Sequence, residues 1–136
     1  MSGLALALAA ESFLGASFRL HGREPLPGFD CVGLVLFAMA EIGRPVHLAI
    51  SYGLRNLEPE RFYRLPELAG FIETDDPPEA GDVLLLDGGP AQLHVAVVSL
   101  SDGIVHAHAG LRRVVHTPFP LPWPVVGQWR LLAERD

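Results

Sequence analysis

The 136-residue chain contains a single cysteine, at position 31. It can form no internal disulfide, and it has no CxxC pair of the kind that indicates a structural zinc site. No apolar run approaches the ~20 residues that a helix needs to span a membrane. These absences argue against a disulfide scaffold and against a membrane-spanning protein, and the chain makes no demand on an oxidising compartment.

Charged residues are also sparse, at 19% of the chain, and the net charge is −6. Because no cluster of Lys and Arg is present to bind a phosphate backbone, we expect no nucleic-acid partner. The apolar stretch 2–10 lacks the basic residues that open a signal peptide, and Glu11 follows it directly. We therefore expect a protein made in the cytoplasm without an evident signal peptide, and no membrane partner.

Hydrophobic residues make up 49% of the chain, which is enough for one packed domain. No linker or internal repeat divides residues 1–136, so we predict a single domain. The Ala- and Leu-rich segment 3–16 predicts a first helix that ends near a glycine. A second helix is predicted from Cys31 to Ile42, and it should be central because it is apolar on every side. Asp30 is its predicted N-cap and Gly43 its C-terminal stop.

Strand signals dominate the second half of the chain, after the break at 77–81 (PPEAG). Runs of apolar and β-branched residues between turn sequences predict five strands, over residues 82–87, 94–100, 104–109, 112–117 and 125–132. Residues 46–76 show no clear period, although 58–68 could form one or two short helices. Helices followed by an antiparallel sheet indicate an α+β fold.

Cys31 stands at the predicted start of the central helix. The unpaired N–H groups and the dipole of a helix start favour negative charge, so we expect a lowered thiol pKa there. The same N–H groups could stabilise an oxyanion. A lone buried cysteine is otherwise an ordinary packing residue. Whether Cys31 is a nucleophile therefore depends on the histidines of the predicted strands.

His94 opens the second predicted strand, and His106 and His108 share one face of the third. A cysteine, a histidine and a polar group that orients the histidine form the arrangement of nucleophile, general base and orienter. Counting residues around the turn at 102–103 places His108 nearer the level of His94, whereas a looser turn allows His106. With Cys31, the same histidines could alternatively bind zinc.

Four segments carry more specific motifs, in order along the chain. They are an aromatic-Arg-x-x-Gly sequence, a Gly-x-Asp-Cys-x-Gly-apolar-Val motif, a Gly-Asp strand followed by a strand that starts with His, and a third strand with His. The segments are 18–22 (FRLHG), 28–35 (GFDCVGLV), 80–86 with 94–98 (AGDVLLL, HVAVV) and 104–107 (IVHA). This ordered set resembles the NlpC-type cell-wall cysteine peptidases, a papain-like family.

The resemblance implies a papain-like α+β fold, with N-terminal helices and a central Cys-bearing helix packed on a C-terminal antiparallel sheet. It makes Cys31 the nucleophile and His94 the base. His106 becomes the orienter, because the family's interval between base and orienter matches the interval from His94. The implied substrate is peptidoglycan, cut at stem-peptide amide bonds between D-glutamate and a diamino acid. No metal or organic cofactor is implied.

Phe18, Asp30 and His108 are the residues that we expect to line the substrate cleft. Phe18 stands where the family has Tyr, and Val32 stands where it often has Ser. The bare domain with an Asp-Cys-Val-Gly-Leu-Val motif looks like the subgroup found with phage tails and gene transfer agents. That subgroup implies phage-tail-like structural partners, which would deliver the enzyme to the cell wall or periplasm.

Two alternatives stay open at this stage. The replaced hydroxyls at Phe18 and Val32 suggest a catalytically weak or inactive adaptor domain of a tail assembly. The same fold and residues would also serve a thiol amidase or acyltransferase that acts on another acyl substrate.

Overall fold

The computed structural model describes residues 2–46, 69–89 and 92–133. These residues form two helices and eight strands, which in chain order are α1 (Ser2–Glu11), β1 (Arg23–Glu24), β2 (Gly28–Phe29), α2 (Cys31–Glu41), β3 (Phe71–Glu73), β4 (Val83–Gly89), β5 (Gln92–Val98), β6 (Ile104–His108), β7 (Arg113–Thr117) and β8 (Val125–Leu131). In the described part of the chain, neither helix has the length and apolar character needed to cross a membrane.

Helix α2 has the ends that its flanking residues predict. The Asp30 backbone is extended, and its carboxylate oxygen Oδ1 accepts the N–H of Gly33 at 2.8 Å. This bond satisfies one of the free N–H groups of the first turn. At the other end Ile42 is the C-cap, and Gly43 takes a left-handed φ of 79° that suits a glycine. The predicted helix is therefore confirmed to within one residue.

Helix α1 is shorter than predicted, because it ends at Glu11 rather than near Gly15. The Ser12 hydroxyl donates to the carbonyl of Ala9 at 2.6 Å, which offers the backbone a local alternative to further helical bonds. A tight turn follows and leads to Gly15, at a φ of 90°. The apolar composition predicted the helix, but it contained no signal for this early turn.

Six of the strands form one antiparallel sheet in the order β3-β8-β4-β5-β6-β7. Its last five strands along the chain correspond to the five predicted strands, and the predicted α+β class is confirmed. Strand β3 lies in the segment that had no readable period, and β1 and β2 form a two-stranded pair before α2, where no strand was predicted. The short helices predicted over 58–68 fall outside the described residues.

The sheet separates two apolar clusters. On one face α1 and α2 pack against alternate residues of the strands, among them Val95, Val97 and Val105. On the other face Ala96 and Ile104 belong to a smaller cluster, which the segment before β8 covers with Phe119, Leu121 and Trp123. Because side chains alternate along a strand, the histidines at 94, 106 and 108 belong to this second face.

Candidate active site

Cys31 is the first residue of α2, and its side chain is only 1% exposed. Three backbone N–H groups act on its sulfur, those of Cys31 itself, Val32 and Val95. The first two belong to the first turn of the helix, and the third belongs to β5, one residue after His94. The thiol therefore lies where the start of the central helix meets the histidine-bearing strand.

A gap between β5 and β6 makes this meeting possible. Within the described parts of these strands, the ladder consists of the pairs Val97 with Val105 and Val98 with Ile104. The N–H of Val98 donates toward β4, to the Asp82 carbonyl, so the N–H of Val95 points to the β6 side. There it acts on the Cys31 sulfur instead of a strand partner. The Cys31 sulfur therefore lies against the backbone of β5, one residue after His94.

A chain of side-chain hydrogen bonds crosses three strands on that second face. Nε2 of His94 lies 2.6 Å from Nδ1 of His106, and Nε2 of His106 lies 2.8 Å from Oγ1 of Thr117. His106 is fully buried, and His94 is partly buried. Because His94 uses Nε2 for this chain, its Nδ1 is the ring nitrogen left for a proton from another group.

His106, and not His108, is the histidine that bonds to His94. His108 lies beside His106, with ring centroids 5.6 Å apart, and its Nδ1 accepts the N–H of Leu111 at 3.1 Å. Residue counting around the turn at 102–103 favoured His108, but it assumes a ladder that continues to the strand ends. The gap between β5 and β6 breaks that ladder.

Burial sets the charge of these groups. It raises the pKa of the Cys31 thiol to about 11, and the nearby Asp30 carboxylate adds to this rise. The three N–H groups lower the pKa, as the helix start predicts, but they do not offset burial. The expected lowering of the Cys31 pKa is therefore wrong for the resting structure, because a thiolate at this position would lose its water.

The two bonded histidines are also neutral near pH 7. Burial is the largest cause in both: it lowers the pKa of His94 to about 4, with help from His108. It lowers the pKa of His106 to about 3, with smaller contributions from His94, His108 and His116. The resting structure thus holds a neutral thiol and neutral imidazoles, rather than a thiolate and an imidazolium.

Asp30 orders the loop that leads into α2. Its carboxylate is fully buried, and it accepts the backbone N–H groups of His21 and Gly33 and a guanidinium N–H of Arg23. Both oxygens are thus engaged inside the protein, and the geometry gives no support to a direct contact between Asp30 and substrate. Phe18 is half-buried and packs against the apolar core beside the same loop.

Thr117 and Trp123 belong to the site although the sequence did not point to them. The ring of Trp123 stands edge-on to His106, with centroids 5.5 Å apart. It also lies 6.1 Å from His94 and 6.3 Å from His108. Thr117 has no motif of its own, and only its place at the end of a strand beside β6 could have suggested a contact.

Zinc binding finds no support in the arrangement. Among the residues that the structure describes, no three His, Cys, Asp or Glu side chains are grouped so as to hold a metal ion. The close contacts are nitrogen-to-nitrogen and nitrogen-to-hydroxyl hydrogen bonds, which use both ring nitrogens of His106 and one of His94.

Comparison with known proteins gives a clear result for structure only. No family model matches the sequence, and no curated protein matches it. Among solved structures, NlpC2 from Trichomonas vaginalis superimposes with a TM-score of 0.68 at 20% identity, over 95% of this chain and 48% of that one. The chain thus spans about half the length of that protein.

Two further solved structures are similar over nearly the whole chain. The NlpC/p60 domain of the peptidoglycan hydrolase SagA has a TM-score of 0.65 at 22% identity, over 96% of this chain and all 100% of that one. The peptidoglycan hydrolase RipB from Mycobacterium tuberculosis has a TM-score of 0.64 at 17% identity, over 98% of this chain and 66% of that one. These likenesses confirm the papain-like NlpC/p60 fold that the motifs implied.

Proposed function

We propose that this chain is a cysteine peptidase that hydrolyses amide bonds in peptidoglycan stem peptides, between D-glutamate and a diamino acid. One observation carries the proposal: the single cysteine starts a helix against the Val95 N–H, while the neighbouring His94 is bonded to His106 at 2.6 Å. The fold shared with peptidoglycan hydrolases supports the substrate class. No metal or organic cofactor is required.

In the proposed acylation step, the Cys31 sulfur attacks the carbonyl carbon of the scissile amide while its proton moves to Nδ1 of His94. Proton transfer and attack proceed together, because the high pKa of the buried thiol and the low pKa of the imidazole disfavour a separated ion pair at rest. The N–H groups of Cys31 and Val32, at the helix start, are suited to stabilise the developing oxyanion.

The tetrahedral intermediate then collapses to a thioester. His94 returns its proton to the leaving amine as the C–N bond breaks, and later removes a proton from the water that attacks the thioester. It gives that proton to the Cys31 sulfur as the C–S bond breaks and the carboxylic acid product leaves. His106 holds the imidazole of His94 in position throughout, through the bond to Nε2. The cycle restores the thiol and the neutral imidazole, so all protons balance.

The surroundings of the site suggest how substrate and delivery would work. Phe18 beside the loop and His108 beside His106 are the residues that we expect to contact the stem peptide, whereas Asp30 would act by shaping the loop. The Asp-Cys-Val-Gly-Leu-Val motif motivates a link to a phage tail or a gene transfer agent particle. Such a particle would supply structural partners and carry the enzyme to the cell wall.

Digestion of purified muropeptides, followed by mass spectrometry, tests the proposed activity. The wild-type protein should release fragments whose masses identify the cleaved bond, and Cys31→Ala should release none while keeping its circular dichroism and melting curve. Because the chain has one cysteine, no other thiol can replace it. Equal product from both proteins would refute the role of Cys31, and fragments of another bond would refute the D-glutamyl assignment.

One observation favours the adaptor alternative: Cys31 is almost fully buried and its thiol has a high pKa. Alkylation by iodoacetamide separates the two functions. A peptidase should show Cys31 alkylation that depends on pH and slows in His94→Ala. An adaptor should be alkylated at a slow rate that His94→Ala leaves unchanged, and it should leave muropeptides uncut.

A further inference from the structure

We propose that Thr117 is a positioning residue, whose hydroxyl accepts the Nε2–H of His106 and so keeps Nδ1 of His94 free to act as the base. The inference rests on the proposed function and extends it to a fourth residue. Its geometric basis is the continuous chain His94 Nε2, His106 Nδ1, His106 Nε2 and Thr117 Oγ1, with spacings of 2.6 and 2.8 Å.

The direction of this chain follows from the chemistry of the proposed reaction. Once His94 has taken the thiol proton, both of its ring nitrogens carry hydrogen, so Nε2–H must donate to His106. Nδ1 of a neutral His106 can accept this hydrogen only if the proton of His106 is on Nε2. That N–H points at Thr117, whose hydroxyl oxygen must then accept it. The charged state therefore allows one direction only.

The reverse direction disables the base. If Thr117 donated its hydroxyl hydrogen to His106, then Nδ1–H of His106 would donate to Nε2 of His94. The proton of a neutral His94 would then sit on Nδ1, and that nitrogen could not accept a proton from the Cys31 thiol. A residue that can accept from His106 is thus a requirement of the productive tautomer.

Because His106 is buried, its Nε2–H needs a hydrogen-bond acceptor within the protein. The ring is fully buried, and a buried N–H with no acceptor is costly, whereas an unused lone pair costs less. Valine at position 117 has nearly the same shape as threonine but accepts nothing. It would therefore favour the reverse tautomer, with the lone pair of His106 Nε2 facing the methyl group.

No counter-ion stands close enough to take over this task among the described neighbours. The ionisable groups that act on His106 are His94, His108 and His116, which are all histidines and oppose its charging. The proton on His106 is therefore placed by its two hydrogen bonds and not by a carboxylate. Loss of the Thr117 hydroxyl should therefore change which nitrogen of His106 carries the proton.

Nitrogen-15 NMR of histidine-labelled protein near pH 8 tests the tautomers directly, without substrate. The wild type should show His94 with its proton on Nε2. Thr117→Val should move a measurable part of His94 to the Nδ1–H tautomer, and Thr117→Ser should restore the wild-type pattern. Thr74→Val is the matched control, since it removes a hydroxyl near the far edge of the sheet, on the other side of β8, β4 and β5 from His106.

Kinetics on muropeptides supply the second readout. Thr117→Val should lower kcat by about tenfold or more, the loss expected for one hydrogen bond to a charged pair, with KM changed by less than about twofold. Thr117→Ser should recover most of kcat. A wild-type tautomer and rate in Thr117→Val would overturn the inference, as would an equal loss in Thr74→Val.

The two proposals fail in different ways. A wild-type protein that cuts no muropeptide refutes the proposed function, yet the NMR pattern still decides the role of Thr117. If Thr117→Val does not fold, Thr117→Ala offers the same loss of an acceptor in a smaller side chain, and its NMR pattern decides in the same way. Normal tautomers in that variant would refute the positioning role.

Discussion

Two polar clusters lie in the same sheet, and they differ in charge. Around Arg130 on β8, the guanidinium bonds both carboxylate oxygens of Asp82, at 3.0 Å from Nε and 2.9 Å from Nη2, and Asp76 pairs with it from outside. On β5, β6 and β7, the chain of His94, His106 and Thr117 joins only neutral groups. In the Arg130 cluster opposite charges are paired, whereas the histidine cluster carries no charge at rest.

This difference agrees with a structural role for the Arg130 cluster and with the proposed chemical role for the histidine cluster. Hydrogen bonds and the charge of Asp82 raise the pKa of Arg130, so its charge is permanent and holds β8 beside the start of β4. In the histidine cluster the pKa values of His94 and His106 lie well below 6.5, so both bases keep a lone pair at neutral pH. A buried cluster that can gain a proton and return it is suited to general base catalysis.

The largest expected effect comes from removing the proposed base, His94. His94→Gln keeps a hydrogen-bonding side chain of similar size but has no nitrogen that can take a proton from Cys31. We expect kcat to fall by about a thousandfold, within the usual range for a lost general base, while the fold is kept. Steady-state hydrolysis of muropeptides and circular dichroism measure both quantities.

A matched control for this variant is His116→Gln, because the exposed His116 ring bonds the Ser101 carbonyl at the surface. It should keep its rate within about twofold, a change that is small on the scale of a catalytic loss. If His94→Gln and His116→Gln lose rate equally, His94 is not the base. The histidine cluster would then have no catalytic role that distinguishes it from the Arg130 cluster.

The sequence predicted the elements of both clusters better than it predicted their contacts. Asp30 as N-cap and the strands that carry His94 and His106 follow from local signals, namely a capping side chain and runs of apolar residues between turns. Local signals act over a few residues, so they can be recognised in a single sequence. They also explain why the central helix was placed so closely.

Contacts across strands were harder to predict, because they depend on register and on where a ladder stops. The pairing of His94 with His106 needed the gap beside the first residues of β5, and the bond from His106 to Thr117 depends on the hairpin of β6 and β7. The Cys31 pKa was misjudged for a related reason. The helix start is visible in the sequence, but the degree of burial that outweighs it is a property of the packed structure.

The Arg130 cluster should show the opposite pattern of effects, on stability and not on rate. Asp82→Asn leaves the Arg130 charge without its buried counter-ion, since the Asp82 side chain is only 2% exposed. Because Arg130 itself is 25% exposed, we expect a loss of about 2–3 kcal/mol in the free energy of unfolding, below the full value for a broken buried pair. Urea unfolding measures this loss.

Asp76→Asn is the control for this prediction, because that partner of Arg130 is 65% exposed. It should cost less than about 1 kcal/mol, as expected for a surface ion pair. Folded Asp82→Asn protein should keep the wild-type kcat. A lower kcat with unchanged stability would mean that the two clusters are coupled through β4, and that the division between them is wrong.

The smallest effect is a dependence of stability on pH that the histidine cluster should impose. In the unfolded chain His94 and His106 take up protons as the pH falls below 6.5. In the folded protein the pKa of His94 is about 4 and that of His106 is about 3, so both rings stay neutral until the pH approaches these values. The free energy of unfolding is therefore highest above this window and falls within it, by at most about 1.4 kcal/mol per pH unit for each histidine. Urea unfolding at about pH 7 and about pH 5 should show a smaller drop for His106→Gln than for the wild type. An equal drop in both proteins would mean that His106 accepts protons as easily in the folded protein as in the unfolded chain, and a cluster of that kind would be charged before any substrate arrived.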